Sequence, residues 1–268
     1  MLKASPPLGV FRLLVVGAGY LGREIARMAQ EGGWEVCPVV RTGESADGLR
    51  GKFPTVQIAD AVGEDFWNQL SGRWNGMIWA MAPSRKGVGN EFEAMHRGGA
   101  VRAAGWARAG KVPMVYLSST SVYAEAGGGW VDETSAVAEE DSRAMAMVTA
   151  EKATLGAGGT VVRCAGIYGP GRQLRPDAGG PERWLNVIQV EDAARAVGLV
   201  LRKMDPAFAG RADARIFNVC EDEALARGQK GGVWAEDSVR SRRSKRVRNQ
   251  KLKEAGWNAM YAAGRSKN

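Results

Sequence analysis

The stretch that decides the fold is FRLLVVGAGYLGREIARM, residues 11–28, in which an apolar run meets a glycine-rich turn and then a helical pattern. Gly17, Gly19 and Gly22 have the spacing GxGxxG at the mouth of a predicted helix over 21–32. The first glycine permits a tight turn, the second lets backbone approach a pyrophosphate, and the third lets helix and strand pack closely. The helix amino terminus adds N–H donors and positive potential. This context favours a dinucleotide-binding loop over a glycine turn with a purely structural role.

Short apolar runs alternate with helical patterns through the first part of the chain. The predicted strands are 11–18, 35–41, 56–60, 76–82, 113–119 and 160–166. The predicted helices are 21–32, 64–72, 90–110 and 140–156. This alternation is typical of βαβ units, so we predict an α/β fold with a Rossmann-type, doubly wound parallel sheet.

After about residue 167 the pattern loosens into a segment rich in Pro, Gly and Arg, which indicates loop. Three elements follow: a strand at 185–190, a helix at 191–204 and a strand at 214–220. We therefore predict a dinucleotide-binding Rossmann domain over 1–166 and a small C-terminal substrate lobe over 167–268, with strands that return to the main sheet.

The net charge of +8 over 268 residues comes from one local run. Residues 240–253 contain eight Lys or Arg and no acid, and the rest of the chain is neutral in sum. Without interleaved aromatic residues the run favours a solvated terminal segment over a nucleic-acid site. No apolar run reaches the roughly 18 residues of a membrane-spanning helix, and no secretory signal is evident at the N-terminus, so we expect a cytoplasmic protein without membrane association.

Cysteine and histidine usage gives no indication of a metal site. Cys37, Cys164 and Cys220 lie in apolar contexts without CxxC spacing, so we interpret them as reduced core residues. The single histidine, His96, falls in a helical pattern and is expected on the helix surface.

The end of the second predicted strand indicates which dinucleotide the chain prefers. The segment VVRTGES, residues 39–45, places Arg41 where an acid would favour NAD, while Thr42 and Ser45 offer further donors. Guanidinium pairs well with phosphate, so the first choice is NADP(H), with NAD less favoured; the alternative is that Arg41 is a solvated loop residue. The remaining predicted cofactor-binding residues are Ala18, Tyr20 and Leu21 of the glycine loop, and Asp60, Ala80, Met81, Ala82 and Ser118 at or after later strands.

Several further motifs carry a resemblance to a known family. They are VYLSSTSVYAEAGGGWVDET (115–134), RCAGIYGPGR (163–172), NVIQVEDAARAV (186–197), RIFNVCEDE (215–223) and SKRVRNQKLKEAGW (244–257). With GAGYLG (17–22) they resemble the extended and atypical short-chain dehydrogenase/reductases, specifically the NAD-dependent epimerase/dehydratase family of nucleotide-sugar enzymes. The resemblance runs nearly from end to end and implies a small-molecule substrate. Related folds often dimerise, so a homodimer is an expectation by analogy.

The resemblance also implies a catalytic Ser or Thr, a Tyr, and a Lys four residues after the Tyr. Ser119 matches the first position, and a register set on Glu151 puts Arg143 at the tyrosine and Met147 at the lysine. Methionine carries no charge to depress a phenol pKa, and arginine is no general base at neutral pH. Arg143 is open to two interpretations: it holds an anionic substrate or oxyanion, or it is a solvent-facing helix residue.

Tyr123 and Tyr168 are two further phenols near the expected site, and for each the alternatives are a packing role and a role as acid. Two functions follow as hypotheses. One is an NAD(P)-dependent, epimerase/dehydratase-like oxidoreductase with a non-standard site, which acts on a polar hydroxyl or carbonyl compound, either nucleotide-linked or free. The other is a catalytically inactive NADP-binding regulator or scaffold. Ser119 and the substrate-side motifs favour the first, and the missing Tyr and Lys favour the second.

Overall fold

A computed structural model describes residues 11–83, 90–174, 183–204, 215–227 and 244–262. The strands are β1 (Arg12–Val16), β2 (Glu35–Val40), β3 (Gln57–Ile58), β4 (Gly76–Trp79), β5 (Met114–Ser119), β6 (Gly127–Val131), β7 (Thr160–Cys164), β8 (Gly166–Tyr168), β9 (Arg183–Leu185), β10 (Val187–Gln189), β11 (Ile216–Val219), β12 (Leu225–Arg227) and β13 (Ser244–Val247). The α-helices are α1 (Tyr20–Glu31), α2 (Gly43–Asp47), α3 (Glu64–Gln69), α4 (Glu91–Glu93), α5 (Val101–Gly110), α6 (Ser142–Gly156), α7 (Val190–Met204) and α8 (Gln250–Glu254).

Seven parallel strands form the central sheet, in the order β11-β7-β5-β4-β1-β2-β3. The chain runs outward from β1 to β3 and then returns to place β4 on the other side of β1. This reversal of strand order leaves a crevice at the carboxyl ends of β1 and β4, where ligands of doubly wound sheets bind. The predicted Rossmann-type α/β fold is therefore confirmed.

The sheet is buried on both faces, which explains its near-continuous apolar strands. Leu13 through Val16 of β1 are fully buried. One core cluster joins the sheet to α1 and α7, through residues such as Ile25 and Val197. The other joins the opposite face to α3 and α5, through residues such as Phe66 and Ala103. A parallel sheet covered in this way needs no polar alternation in its strands.

The C-terminal part of the chain contributes both small sheets and a return to the main sheet. Strand β11 pairs with β7 in the central sheet, as the sequence predicts for returning strands. Outside that sheet, β8 pairs with β10, β9 with β12, and β6 with β13. Strand β6 was not predicted and lies within 1–166, yet its partner β13 lies in the predicted lobe. The domain boundary at 166/167 stays a prediction.

Two sequence expectations fail in the helical and basic segments. The predicted helix over 90–110 is interrupted by a π-helical segment, Ala94–Ala100, and His96 on it is 4% exposed, so its expected place on the helix surface is wrong. Its Nδ1 lies 2.7 Å from the Tyr116 hydroxyl oxygen, a partner on β5 that only the packed structure supplies. The three cysteines are confirmed as free and buried.

The basic run is also more ordered than the expected solvated segment. Its residues 240–243 lie outside the described part of the chain, but 244–254 include β13 and α8. The contacts of the described cations are Lys245 with the Tyr123 carbonyl, Arg246 with the Trp130 and Trp184 rings, Arg248 with Trp130, Lys251 with the Phe217 ring, and Lys253 with Asp222. The described part of the run, residues 244–253, is built into the fold because its side chains pack on aromatic rings and carbonyl groups. No described helix is long and apolar enough to cross a membrane.

Candidate functional site

The three glycines of the first turn have three different surroundings. Gly17 has φ +93°, and a Cβ on it would lie 2.6 Å from the Met81 backbone nitrogen. A Cβ on Gly22 would lie 2.3 Å from the Gly17 carbonyl oxygen, whereas one on Gly19 would meet no atom within 4 Å. Gly17 and Gly22 are thus required for close backbone packing, and Gly19 leaves open space in front of the loop. These are the separate roles that a pyrophosphate-binding turn needs.

The amino terminus of α1 begins directly behind this turn. Gly19 is its N-cap without a capping side chain, and the first turn holds no acid. Its orphan N–H donors and positive potential are therefore available to an anion, because no acid of the first turn competes for them.

A cavity of about 530 Å³ lies in front of the loop, at the crevice between β1 and β4. The predicted residues that line it are Gly17, Ala18, Gly19, Tyr20, Leu21, Arg41, Ala80, Met81, Ala82 and Ser118. Gly22 and Asp60 are outside the lining: Gly22 packs behind the turn, and the exposed Asp60 accepts a hydrogen bond from the Val62 nitrogen. A cavity of this size is within the range of small-molecule and cofactor sites.

One end of the cavity carries opposite charges beyond β2. The Arg41 Nη1 donates to the Glu91 carboxylate at 2.6 Å, and both residues line the cavity. Arg23, Thr42 and Ser45 line the same cavity, and the Thr42 hydroxyl donates to the Ser45 oxygen at 3.0 Å. This end presents two guanidinium groups, two hydroxyls and one carboxylate.

A loop after β8 packs against the glycine loop and contributes to the cavity lining. Gly169 and Arg172 exchange two backbone hydrogen bonds of 3.0 and 2.9 Å, and the Tyr20 hydroxyl donates to the Pro170 carbonyl at 3.0 Å. The Arg172 guanidinium lies 5.7 Å from the Tyr20 ring centroid and lines the cavity together with Ile167. A cation from the predicted lobe thus lies on the glycine-loop side of the cavity.

Ser118 is held by a buried ion pair. Its hydroxyl donates to Glu151 Oε1 at 2.6 Å, and Arg163 donates to both oxygens of the same carboxylate at 3.0 and 2.6 Å. The Arg163 and Glu151 side chains are 5% and 3% exposed. A buried bidentate pair of this kind fixes the geometry of the group that it holds. Ser118 therefore has a fixed orientation at the cavity wall.

The proposed catalytic hydroxyls have other surroundings. Ser119 caps the short 3₁₀ turn Thr120–Val122, where its oxygen accepts from the Ser121 nitrogen at 3.1 Å. Tyr123 is buried and donates to Asn218 Oδ1 at 2.7 Å, and burial raises its pKa to about 12. Tyr168 donates to Glu221, and burial and this carboxylate raise its pKa. None of Ser119, Tyr123 and Tyr168 lines the cavity, and the contacts of the two tyrosines favour a packing role.

The two α6 residues at the tyrosine and lysine positions of the family motif have different environments. Arg143 is exposed, and its guanidinium lies 4.3 Å from the Phe92 ring centroid. Met147 is 6% exposed and belongs to the core cluster beside α1 and α7. Neither lines the cavity, so neither acts on its contents from the position that the structure gives it.

Sequence reasoning missed several apolar lining residues and four titratable ones. Arg23, Glu91, Cys164 and Arg172 all line the cavity. Burial raises the pKa of the Cys164 thiol to about 12, so it is a neutral wall group at pH 7. Arg23 is one position after the GxGxxG motif, and an outward-facing cation in that helix turn is a signal that could have been used. Glu91 and Arg172 are distant in sequence from the glycine loop, and no local pattern in the sequence pointed to either residue.

Comparisons with known proteins agree with this architecture. No protein-family profile matches the sequence, and no curated protein is similar to it in sequence. Among solved structures, the Bordetella bronchiseptica enzyme WbmG in complex with NAD superposes with a TM-score of 0.74 at 14% identity, over 97% of this chain and 92% of that one. A Methylobacillus flagellatus protein with a provisional description as an NAD-dependent epimerase/dehydratase gives 0.73 at 21% identity, over 94% of both chains.

A third example is the UDP-N-acetylglucosamine 4-epimerase of Bacillus cereus, with a TM-score of 0.69 at 16% identity over 94% of both chains. Likeness at such low identity speaks to the fold, whose function depends on the site that each chain builds on it. The chain therefore has the fold of the NAD-dependent epimerase/dehydratase structures.

Proposed function

We propose that this chain binds a nicotinamide dinucleotide in the cavity in front of its glycine loop. The observation that carries the proposal is the loop itself: Gly17 and Gly22 are packed against backbone, Gly19 faces open space, and the uncapped α1 amino terminus lies behind them. Arg172 adds a cation on the same side of the cavity. These groups would hold the pyrophosphate through backbone N–H donors and one guanidinium.

NADP(H) is the proposed dinucleotide, with NAD as the alternative. Arg41 and Arg23 line the end of the cavity beyond β2, together with the hydroxyls of Thr42 and Ser45. A 2′-phosphate would find charge-assisted donors there. Structural neighbours such as WbmG are described in complex with NAD. For this chain NADP(H) is proposed instead because of the two arginines.

The proposed activity is that of an epimerase/dehydratase-like oxidoreductase on a polar hydroxyl or carbonyl compound, either nucleotide-linked or free. The bound nicotinamide would supply or accept a hydride. Ser119 is the proposed substrate-positioning group, because its oxygen accepts from Ser121 and leaves its own proton free to donate. Arg143 lies outside the cavity lining, so its proposed role is to hold an anionic part of the substrate that extends beyond the cavity. The solved structure of MoeE5 with UDP-glucose and NAD is the likeness from which a nucleotide-linked substrate is suggested.

A second function, a dinucleotide-binding regulator or scaffold without turnover, is favoured by one specific observation. Met147 is buried in the core at the register position of the lysine, and Tyr123 keeps its proton on Asn218. Without a lysine to lower a phenol pKa, general acid/base catalysis worth about 10²- to 10⁴-fold is missing. Turnover on common nucleotide sugars is therefore expected to be slow or absent.

The binding proposal is tested by thermal unfolding with NADPH and NADH at equal concentration. A ligand at about 100 times its Kd stabilises a protein by about 2.7 kcal/mol, so NADPH should raise the Tm more than NADH does. Arg41→Asp should remove this preference. Equal or better protection by NADH, or an unchanged preference in the variant, would contradict the choice of NADP(H).

The two functions are separated by hydride transfer from 4-deuterated NADPH to a panel of nucleotide-linked and free polar carbonyl compounds. Deuterium in a product, reduced by Ser119→Ala and by Arg143→Ala, supports the oxidoreductase. Tight binding with no deuterium transfer to any compound supports the regulator. Full transfer in both variants would mean that a different group positions the substrate.

A further inference from the structure

No acid stands directly after β2, but a carboxylate from another element pairs with the residue at that position. In dinucleotide-binding folds an acid at the end of the second strand accepts the ribose 2′-hydroxyl. Here that position is Arg41, and its guanidinium donates to Glu91, which lies 50 residues later on α4. The Glu91 side chain is 24% exposed and lines the same cavity as Arg41, Thr42 and Ser45.

We propose that Glu91 is a specificity-determining residue that opposes Arg41 in the choice between the two nicotinamide dinucleotides. The proposal rests on the proposed function, since it concerns the same cavity. Its content is separate: Arg41 favours a 2′-phosphate, and Glu91 favours a free 2′-hydroxyl. The preference of the protein is then a balance between two side chains.

The charges at this end of the cavity partly oppose a bound phosphate. A phosphate monoester carries about −1.5 to −2 charges at pH 7. A phosphate that reaches Arg41 meets a guanidinium with one N–H already donated to a carboxylate, and it must approach that carboxylate as well. Repulsion between like charges across a solvent-exposed site is worth roughly a factor of ten in affinity.

The Glu91 carboxylate does not repel a ribose that carries a free 2′-hydroxyl in place of the phosphate. A hydroxyl donates to a carboxylate in a charge-assisted hydrogen bond, which is stronger than a bond between neutral groups. Glutamine retains a carbonyl acceptor but no charge. Glu91→Gln should therefore raise NADPH affinity by roughly tenfold and leave NADH affinity unchanged or about two- to threefold lower.

A matched control is present on the same short helix. Glu93 carries the same charge two residues away, and it does not line the cavity. Glu93→Gln changes the net charge of the protein equally, so it measures any long-range effect of removing one acid. Glu91→Ala is a second variant in which neither charge nor acceptor remains.

The experiment is a titration of the wild type, Glu91→Gln, Glu91→Ala and Glu93→Gln with NADPH and with NADH, followed by calorimetry, with thermal unfolding of each free protein as the folding check. The expected result is a rise in the ratio of NADPH to NADH affinity of about tenfold in both Glu91 variants and no change in Glu93→Gln.

An unchanged or lower ratio in proteins that still bind dinucleotide overturns the role of Glu91 and leaves the proposed function intact. An equal rise in Glu93→Gln also overturns it, because the effect would then belong to net charge. Failure of every protein, wild type included, to bind either dinucleotide overturns the proposed function and this inference with it.

Discussion

At the scale of single residues, the glycines of the loop meet two different requirements: close backbone packing and open space for a ligand. The sequence motif does not distinguish the two. Gly17 is needed for the backbone: its φ of +93° and the 2.6 Å approach of the Met81 nitrogen to a Cβ both exclude a side chain. No atom of the protein lies within 4 Å of the place where a Cβ on Gly19 would be, so a methyl group there would meet no steric clash. The absence of a side chain at Gly19 therefore leaves room for a ligand in the cavity.

The prediction at this scale compares Gly17→Ala with Gly19→Ala. Gly17→Ala should lower the free energy of unfolding by at least about 1–2 kcal/mol, because a left-handed conformation is strained for alanine and the new methyl group meets backbone. Gly19→Ala should unfold at the wild-type urea concentration but bind dinucleotide at least about tenfold more weakly, since the methyl group takes space in front of the α1 amino terminus. Urea unfolding and calorimetric titration measure the two effects. Normal affinity in Gly19→Ala would show that the pyrophosphate is not held at this turn.

At the scale of elements, the π-helical segment Ala94–Ala100 explains why His96 is buried. Insertion of the π-helical turns shifts the helix register, and π-bulges often occur at functional sites. His96 meets Tyr116 on β5, and its ring centroid is 4.3 Å from that of Phe92. Burial, and to a lesser degree Arg143, lower the pKa of His96 to about 4.

This depressed pKa predicts a loss of stability in mild acid. In the unfolded chain His96 has a pKa of about 6.5, so below that pH the unfolded state binds a proton at His96 and the folded state does not. The contribution is present above about pH 6.5 and is lost as the pH falls to about 4; it amounts to on the order of 2–3 kcal/mol. Because the chain has one histidine, its imidazole signal can be followed alone by NMR.

The comparison for this prediction is His96→Asn, which retains a polar partner for Tyr116. The wild type should lose more unfolding free energy between pH 7 and pH 5 than the variant, and the wild-type imidazole should titrate near pH 4. An imidazole signal that titrates at about 6.5 in the folded protein would refute the burial of this side chain.

At the scale of the whole molecule, the described part of the basic run joins two of the small sheets outside the central sheet. Arg246 on β13 lies 4.9 Å from the Trp130 ring centroid on β6 and 5.2 Å from that of Trp184 on β9, and it donates to the Gly128 carbonyl at 3.0 Å. Three strands that are distant in sequence meet at this guanidinium. The sequence alone leaves this cation available to a polyanion, whereas in the structure it contacts two aromatic rings and a carbonyl group.

The prediction at this scale contrasts Arg246→Ala with Lys253→Ala. Arg246→Ala should lower the free energy of unfolding by about 1–2 kcal/mol through lost cation–π contacts and its hydrogen bond. Lys253 pairs with Asp222 at an exposed site, so Lys253→Ala should change stability by no more than about 0.5 kcal/mol. Urea unfolding measures both.

Single-stranded nucleic acid serves as the second measurement for these variants. We expect weak binding by the wild type, and the same weak binding by both variants. Tight binding with steep salt dependence that Arg246→Ala weakens would instead identify the run as a nucleic-acid surface.

The sequence by itself determined the sheet and its glycine loop, because their signals are local. Each strand of the main sheet is a short apolar run between breakers, and the GxGxxG spacing defines a turn within a few residues. Strand β6 was missed because its sequence, GGGWV, has little strand propensity of its own. It forms where β13 pairs with it, a partner more than 100 residues later.

Only the tertiary structure decided what surrounds the cavity. The pairing of Arg41 with Glu91, the entry of Arg172 from the far loop and the burial of His96 depend on which elements the sheet brings together. The placement of Tyr123 on Asn218 and of Met147 in the core depends on packing in the same way. Such contacts between distant residues leave no periodicity or spacing in the sequence, since each partner obeys only the local pattern of its own element.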